Sequence, residues 1–334
     1  MNKTQKTPDL SIIVIVHNMP TQAMNTLYSL SSHYQKNVEE YFYEVVVIEN
    51  KSNQNLCESD IKKLGENFRY YCRNEKSTSP APAVNFGISL SKGKYIGLIL
   101  DGARMVTPRV IEYVQMGFKQ SANSLIAVPS YNLGPTEHHL ANFNQYTEKT
   151  ESLLLDSINW KENGYRLFDI ANLSGANTKG PLQLFLECNF IFTAKTTLID
   201  IGGADERFNL EGGGSLNLHL YRKLGTHPNS LHYFVLCGEG SFHQLHNGVT
   251  TSNREDRENL LSSFKLHLDN IWGGEFGGSV KREPILLGAL PSQAIPFILE
   301  SCTHVENRFE KLSKKRTTFW LDDEPFQRLT ITTD

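Results

Sequence analysis

The first 130 residues alternate between short apolar segments and segments with helical periodicity. Residues 11–16 (SIIVIV), 44–48 (EVVVI) and 95–100 (YIGLIL) are rich in aliphatic and β-branched side chains, as are strands buried on both faces. Between these segments, apolar residues recur every three or four positions, which predicts helices with one face against a sheet. The pattern predicts an α/β fold with a mostly parallel sheet flanked by helices.

The rest of the chain is less regular. Residues 132–183 are polar and weakly periodic, which predicts an irregular or partly helical segment. Residues 231–237 (LHYFVLC) predict a further strand, and two later apolar stripes, the second over residues 295–309, predict helices. The predicted organisation is an α/β domain over residues 8–250, with halves 8–130 and 131–250, and a helical C-terminal extension over residues 251–334.

Polar residues follow three of the predicted strands directly. His17 and Asn18 follow the first strand, Glu49 and Asn50 the second, and Asp101 the strand that begins at residue 95. Because open α/β sheets bind ligands beyond the carboxyl ends of their strands, this coincidence predicts a ligand site. The alternative is that these are ordinary turn residues, since strand ends usually carry polar side chains.

The charge of the chain argues against a nucleic-acid partner. The 334 residues carry a formal net charge of -3, and the aromatic residues are not arranged along a basic stripe. A basic run at residues 311–316 (KLSKKR) has two interpretations: contact with anionic lipid headgroups, or a solvated helix end.

Cysteine usage and hydropathy predict the compartment. The five cysteines are widely spaced and include no CxxC pair, so they predict neither a disulfide framework nor a zinc site. The polar N-terminus lacks a signal-peptide pattern, and no segment approaches the roughly 18 apolar residues of a membrane span. We expect a cytoplasmic protein and leave peripheral attachment at the inner face of the membrane open.

Four segments, taken in order, resemble a known family. They are residues 11–18 (SIIVIVHN), 44–53 (EVVVIENKSN), 81–103 (APAVNFGISLSKGKYIGLILDGA) and 202–208 (GGADERF). Their order and spacing resemble the family 2 glycosyltransferases, which are inverting enzymes with a GT-A fold. The resemblance implies a GT-A-like (nucleotide-diphospho-sugar transferase) domain. It also implies transfer of a sugar from a nucleotide-sugar donor to a glycan or lipid-linked acceptor hydroxyl, with bacterial surface polysaccharide biosynthesis as the setting.

The resemblance also implies which residues bind the donor. The family's acidic contact to the nucleotide base falls on Glu49, and Asn50 and Asn18 are expected to grip the base and ribose. Ser52 is expected to hydrogen-bond nearby. Asn85 is expected to approach the ribose or diphosphate from the helix that precedes the strand at residue 95.

The metal motif departs from the family. Where the family has Asp-x-Asp, this chain reads Asp-Gly-Ala-Arg, so Asp101 is present and Ala103 replaces the second carboxylate. Arg104 could supply fixed positive charge to the diphosphate. Alternatively, a divalent cation (Mn or Mg) is held by Asp101 and a distant ligand such as His243, which lies three residues before His246 in the segment GEGSFHQLHNG.

The acidic pair that supplies the family's catalytic base is missing. The corresponding segment reads Glu211-Gly-Gly-Gly-Ser-Leu-Asn-Leu, which makes Glu211 the nearest carboxylate and the predicted base. The alternative is that the three glycines bring main-chain amides to substrate, with Glu239 or His243 as the base.

The sequence also bears on three rival functions. The altered motifs also fit a catalytically degenerate protein of the same fold that binds a nucleotide sugar or a partner. A nucleotidyltransferase would carry a glycine-rich loop with a basic residue after the first strand, and HNMPTQAM has neither. A Rossmann oxidoreductase would carry GxGxxG at that position, and it is absent.

Overall fold

The computed structural model describes residues 7–140, 146–230, 232–246, 248–249, 257–274 and 280–302. Strands in this part of the chain are β1 (Leu10–Val16), β2 (Tyr43–Asn50), β3 (Phe68–Arg73), β4 (Tyr95–Ile99), β5 (Arg104–Val106), β6 (Ser124–Ala127), β7 (Ser130–Leu133), β8 (Ala171–Leu173), β9 (Phe190–Ala194), β10 (His232–Leu236), β11 (Ser241–His243) and β12 (Ile285–Leu287). The α-helices are α1 (Pro20–Ser29), α2 (Glu58–Lys62), α3 (Ala81–Leu90), α4 (Val110–Gln120), α5 (Glu148–Ser157), α6 (Lys195–Asp200), α7 (Leu216–Thr226), α8 (Arg257–Trp272) and α9 (Ile295–Cys302).

The larger of two sheets has the strand order β12-β10-β6-β9-β4-β1-β2-β3. Every neighbouring pair in it is parallel except the two that involve β9, which runs antiparallel to both β4 and β6. The predicted α/β class, with a mostly parallel sheet flanked by helices, is therefore confirmed.

Both faces of this sheet are covered, which explains the unbroken apolar runs in its strands. Along β1, Ile12 and Val14 pack in one cluster with residues of α1 and α4, whereas Ile13 and Ile15 pack in a second cluster with residues of α3 and α7. Because successive side chains of a strand point to opposite faces, a strand between two helical layers needs apolar residues at every position.

The second sheet has the order β5-β11-β7-β8 and two unlike faces. Met105, Phe242, Tyr131 and Leu173 belong to a third apolar cluster. The residues one position along each strand are in register with one another and are all polar: Arg104, His243, Asn132 and Asn172. The small sheet therefore carries an apolar core on one face and a polar row on the other.

The C-terminal part is helical, as expected, and it also contributes a strand. It contains α8 and α9, and β12 pairs in parallel with β10 at the edge of the large sheet. The second predicted helix is seen as α9, while residues 303–309 and the basic run 311–316 lie outside the described residues. Among the helices in the described ranges, none combines the length and apolar character needed to cross a membrane.

Candidate active site

Asp101 lies two residues after β4, where the large sheet presents the carboxyl ends of its central strands. Gly102 packs closely behind it, since a Cβ there would meet the carbonyl oxygen of Ile15 at 2.9 Å. The Asp101 Oδ1 atom accepts a hydrogen bond from the Ala103 N–H at 3.1 Å, which fixes the side chain and leaves Oδ2 for other partners. The side chain is 28% exposed.

Two histidines meet Asp101 Oδ2. The Nε2 atom of His243 lies 2.7 Å from it, that of His246 lies 3.3 Å from it, and the two Nε2 atoms are 3.0 Å apart. Donor atoms about 2.1 Å from one ion, at right angles to each other, are about 3.0 Å apart. The three separations therefore fit one face of a metal coordination shell.

Buried hydrogen bonds hold the segment that carries the histidines. His243 ends β11, which pairs with both β5 and β7. Gln244 is fully buried, and its amide reaches α1 by donating to the carbonyl of Gln22 at 2.9 Å and accepting from Asn25 at 2.9 Å. The Leu245 N–H donates to both oxygens of buried Glu151 at 2.9 Å. The two imidazoles are thus positioned by the scaffold rather than by an open loop.

The protonation states suit a cation ligand set. Burial alone would raise the pKa of the Asp101 carboxyl, but the two imidazoles hold it well below its usual range. Burial and the Arg104 charge lower the pKa of His243 to about 4, so its ring is neutral near pH 7. Burial alone would lower the pKa of His246, yet Asp101 raises it above the ordinary value. A carboxylate and a neutral imidazole are the forms that metals bind, and the His246 ring would have to lose its proton to join them.

Arg104 lies opposite His243 in the β5–β11 ladder and is only 7% exposed. Its Nε and Nη1 atoms have no hydrogen-bond partner among the described residues. Burial lowers the pKa of Arg104, whereas the carboxylates of Asp101 and Glu187 act to raise it. The guanidinium is therefore not engaged in a surface salt bridge, and the charge that it was predicted to offer a diphosphate lies inside the site.

The side chain of Glu49 turns toward its own loop. It is fully buried, its two oxygens accept the Leu56 N–H at 3.2 and 3.0 Å, and Tyr70 donates its hydroxyl to Oε2 at 2.5 Å. In this conformation Glu49 orders the loop after β2. To contact a nucleotide base, as predicted, Glu49 would therefore have to give up these hydrogen bonds.

The amides predicted to hold the nucleotide lie at the strand ends. Asn18 is exposed and has a positive φ of 54°, which asparagine tolerates better than most residues. Asn50 is 7% exposed, and its Oδ1 atom has no partner among the described residues. Ser52 instead bonds within its own loop, donating its hydroxyl to the carbonyl of Gln54 at 2.8 Å.

Asn85 connects α3 to the turn that reads GGADERF. Its Nδ2 atom donates to the carbonyl of Ala204 and to Glu206 Oε1, both at 2.9 Å, and its Oδ1 atom accepts the Ala204 N–H at 2.9 Å. Gly203 has φ +68°, and a Cβ on it would meet Asn85 Oδ1 at 2.6 Å. With its amide used in this way, Asn85 joins two elements and makes no hydrogen bond among the described residues to Asp101, His243 or His246, the three residues that we call the triad.

The carboxylates proposed as bases differ in exposure. Glu211 begins a short 3-10 turn, Glu211–Gly213, and is exposed. Glu239 is fully buried, where it accepts the hydroxyl of Tyr165 at 2.7 Å and the N–H of Arg109 at 3.4 Å. Burial raises the pKa of Glu239 to about 7. In this conformation, Glu239 has no access to a substrate.

Sequence reasoning missed two further groups. Glu151 holds the backbone beside His246, and it comes from the segment with no clear periodicity. The carboxyl of Glu187, just before β9, interacts electrostatically with Arg104. No local sequence motif marks either glutamate, because each lies near the site only through residues that are distant in sequence.

The fold is α/β, and the cluster of Asp101, His243 and His246 lies at the carboxyl ends of its central strands, where open α/β sheets bind ligands. Residues 11–171 match the family model "Glycosyl transferase family 2". Over these residues the chain is similar to this family of glycosyltransferases, and the resemblance that its motifs predicted is confirmed there. The match includes Asp101 and ends before His243, His246 and Glu211.

Several solved structures resemble the chain, and no curated protein sequence matches it. S. aureus TarS 1-349 in complex with UDP-GlcNAc is 14% identical, with a TM-score of 0.49, over 78% of this chain and 67% of that chain. TarS 1-349 in complex with UDP is 13% identical, with a TM-score of 0.47, over 78% and 66%. A further structure of TarS is 13% identical, with a TM-score of 0.45, and this chain spans 40% of it. At these low TM-scores, the site of this chain is defined by its own residues alone.

Proposed function

We propose that the protein transfers a sugar from a nucleotide-sugar donor, with a divalent cation held by Asp101, His243 and His246. The observation that supports this is the convergence of three ligand atoms, 2.7–3.3 Å apart, at the end of β4. The two histidines take the place of the carboxylate that the sequence lacks at Ala103.

The donor set favours Mn²⁺ over Mg²⁺. Two imidazoles suit transition metals, whereas Mg²⁺ prefers oxygen ligands. Two histidines and one carboxylate also hold Fe(II) in oxygenases, so the choice of Mn²⁺ depends on the family. When bound, the cation neutralises the charge of the leaving diphosphate.

The residues of the chain supply the remaining contacts. Asn18 and Asn50 lie at the ends of β1 and β2, and we propose that their amides bind the base and ribose. Arg104 adds a buried positive charge beside the triad. In a water-poor site such a charge stabilises a leaving diphosphate more strongly than it would at the surface.

Transfer to a glycan or lipid-linked hydroxyl with inversion belongs to the same proposal. A single displacement at the anomeric carbon inverts it and needs one base to take the hydroxyl proton. Glu211, on the exposed turn before α7, stays the base predicted from the sequence. The oligomeric state has no part in this proposal.

A thermal-shift screen tests the donor site. Purified protein is heated with UDP-GlcNAc and with GDP-, CMP- and dTDP-sugars, each with Mn²⁺, with Mg²⁺ and with EDTA. A ligand at about a hundred times its dissociation constant adds about 2.7 kcal/mol to the free energy of unfolding. We expect one nucleotide class to raise the melting temperature with Mn²⁺ and not with EDTA.

Two variants sharpen the screen. His243→Ala should abolish the Mn²⁺-dependent shift, whereas His33→Ala, an exposed histidine on the loop after α1, should retain it. Binding without any release of nucleotide from the sugar would favour the degenerate binding protein. No shift with any nucleotide would contradict the proposed donor site.

A further inference from the structure

Glu187 occupies a defined place beside the candidate site. It lies three residues before the start of β9 and is partly buried. Its neighbour Cys188 is buried, and the Cys188 thiol donates to the carbonyls of Val128 and Phe190 at 3.4 and 3.1 Å. These bonds anchor Cys188. Glu187 and Asn189, which flank it, therefore have fixed backbone positions from which their side chains can contact polar partners.

Arg104 connects Glu187 to the triad. The guanidinium lies within electrostatic reach of both Asp101 and Glu187, and it faces His243 across the β5–β11 ladder. It is buried with two nitrogen atoms lacking hydrogen-bond partners among the described residues. A buried cation with unused donors is costly unless a further ligand satisfies it. The unpartnered nitrogen atoms of Arg104 therefore suit a polar ligand that reaches them beside Asp101 or Glu187.

A row of amides borders Glu187 on its other side. Asn217, in the first turn of α7, donates its Nδ2 to Asn189 Oδ1 at 2.7 Å, and Asn189 Nδ2 donates to Ser130 Oγ at 3.4 Å. Asn217 also lies close enough to Glu187 to lower the pKa of its carboxyl. The Oδ1 atom of Asn217 has no partner among the described residues. A row of amides with one unpartnered acceptor is suited to a hydroxyl-rich ligand.

We propose that Glu187 is the general base of the transfer and that the acceptor saccharide lies against Asn189 and Asn217. This inference rests on the proposed function. The acceptor oxygen forms a bond to the anomeric carbon as the bond from that carbon to the diphosphate oxygen breaks. The bonding pair leaves with the nucleoside diphosphate, and the hydroxyl proton passes to a carboxylate oxygen of Glu187.

The environment of Glu187 fits this role better than that of Glu211. Burial raises the pKa of the Glu187 carboxyl, against the opposing effects of Arg104 and Asn217. A raised pKa makes a carboxylate a stronger base near neutral pH, and a partly buried side chain can exclude competing water. Glu211, in contrast, lies exposed on the turn before α7.

Donor hydrolysis tests the assignment without knowledge of the acceptor, since water can replace the hydroxyl. The probe is UDP-GlcNAc, or whichever of the four sugar nucleotides stabilises wild-type protein most, with Mn²⁺. We expect Glu187→Gln to lower kcat by about 100-fold or more and to remove the acid limb of the pH–rate profile. The dissociation constant for Mn²⁺–UDP should not change. Glu187→Asp should recover part of the rate.

Glu66→Gln, at an exposed glutamate before β3, is the matched control and should keep the wild-type rate. Hydrolysis at the wild-type rate by Glu187→Gln, or loss of hydrolysis in Glu211→Gln instead, would overturn the assignment. Loss of Mn²⁺–UDP binding in Glu187→Gln would overturn it too, because the role would then be structural. If the wild-type protein binds the nucleotide sugar without hydrolysing it, the base role of Glu187 is refuted and the donor site is retained. Wild-type protein that binds no nucleotide would instead show that the proposed function itself has failed.

Discussion

The Nε2 atoms of His243 and His246 lie 3.0 Å apart, and both face the same oxygen of Asp101. Two imidazole nitrogens at this distance can share one proton, but two protons between them would repel. The cluster therefore gains most from a single positive centre between the three atoms. We expect a cation to fill that position more effectively than a proton, because it can contact all three atoms at once.

Cation affinity should fall in acid. His243 is neutral near pH 7, because its pKa is about 4, whereas the raised pKa of His246 means that its proton must leave when the cation binds. Below the pKa of His246, we expect the Mn²⁺ dissociation constant to rise by about tenfold per pH unit. Calorimetry between about pH 5 and about pH 8 measures this. His33→Ala should give the same profile, and an affinity independent of pH would contradict the ligand role of His246.

Gln244 should matter for both stability and cation binding. Replacing it with Ala removes its bonds to Gln22 and Asn25, leaving buried polar groups without partners. We expect Gln244→Ala to lower the free energy of unfolding by about 1–3 kcal/mol and to weaken Mn²⁺ binding, since the adjacent histidine loses its support. Urea unfolding and calorimetry measure the two effects. Gln54→Ala, on an exposed loop, is the control and should change neither.

Asn85 and Asn18 should separate two roles that the sequence could not distinguish. Asn85→Ala breaks three hydrogen bonds to the turn after α6, so we expect a loss of about 1–3 kcal/mol of stability with unchanged nucleotide affinity. Asn18→Gly, at an exposed strand end where glycine also adopts the positive φ, should leave stability nearly unchanged and weaken nucleotide binding. Thermal unfolding and nucleotide titration together decide between them. Weaker nucleotide binding by Asn85→Ala at native stability would restore its predicted donor contact.

Glu239 should make stability depend on pH. Its pKa is raised from 4.5 to about 7 in the folded protein, so the folded state holds a proton that the unfolded state has lost. Stability should therefore fall as the pH rises from about 4.5 to about 7, by at most on the order of 3 kcal/mol. Glu239→Gln should flatten this fall, as measured by urea unfolding across that range. Exposed Glu66→Gln should leave the slope as it is, and an unchanged slope in Glu239→Gln would refute the prediction.

The sequence predicted the large sheet well, because a strand that is buried on both faces has a continuous run of apolar residues. The runs at residues 11–16, 44–48 and 95–100 all lie in or overlap parallel strands between two helical layers. The strands of the small sheet have a weaker sequence pattern. Its strands are three or four residues long, and only one of its faces is apolar.

The site was predictable only in part, for a related reason. Asp101 and His243 were each identified from a local motif, and the structure brings them within 2.7 Å; their role as ligands stays a prediction. The pairing of β11 with β5 creates that proximity, and no local pattern encodes it. Glu187 was missed because its partner Arg104 comes from another strand, far away in sequence. Contacts of this kind follow from the fold, whereas motifs are read along the chain.

The late position of β12 has a consequence for biosynthesis. A ribosome releases residues 232–236 well before residues 285–287 have emerged from its exit tunnel. During that interval the outer edge of β10 carries unpaired N–H and C=O groups, the kind of edge at which nascent chains aggregate. The large sheet therefore gains its last strand only after the C-terminal segment has been translated.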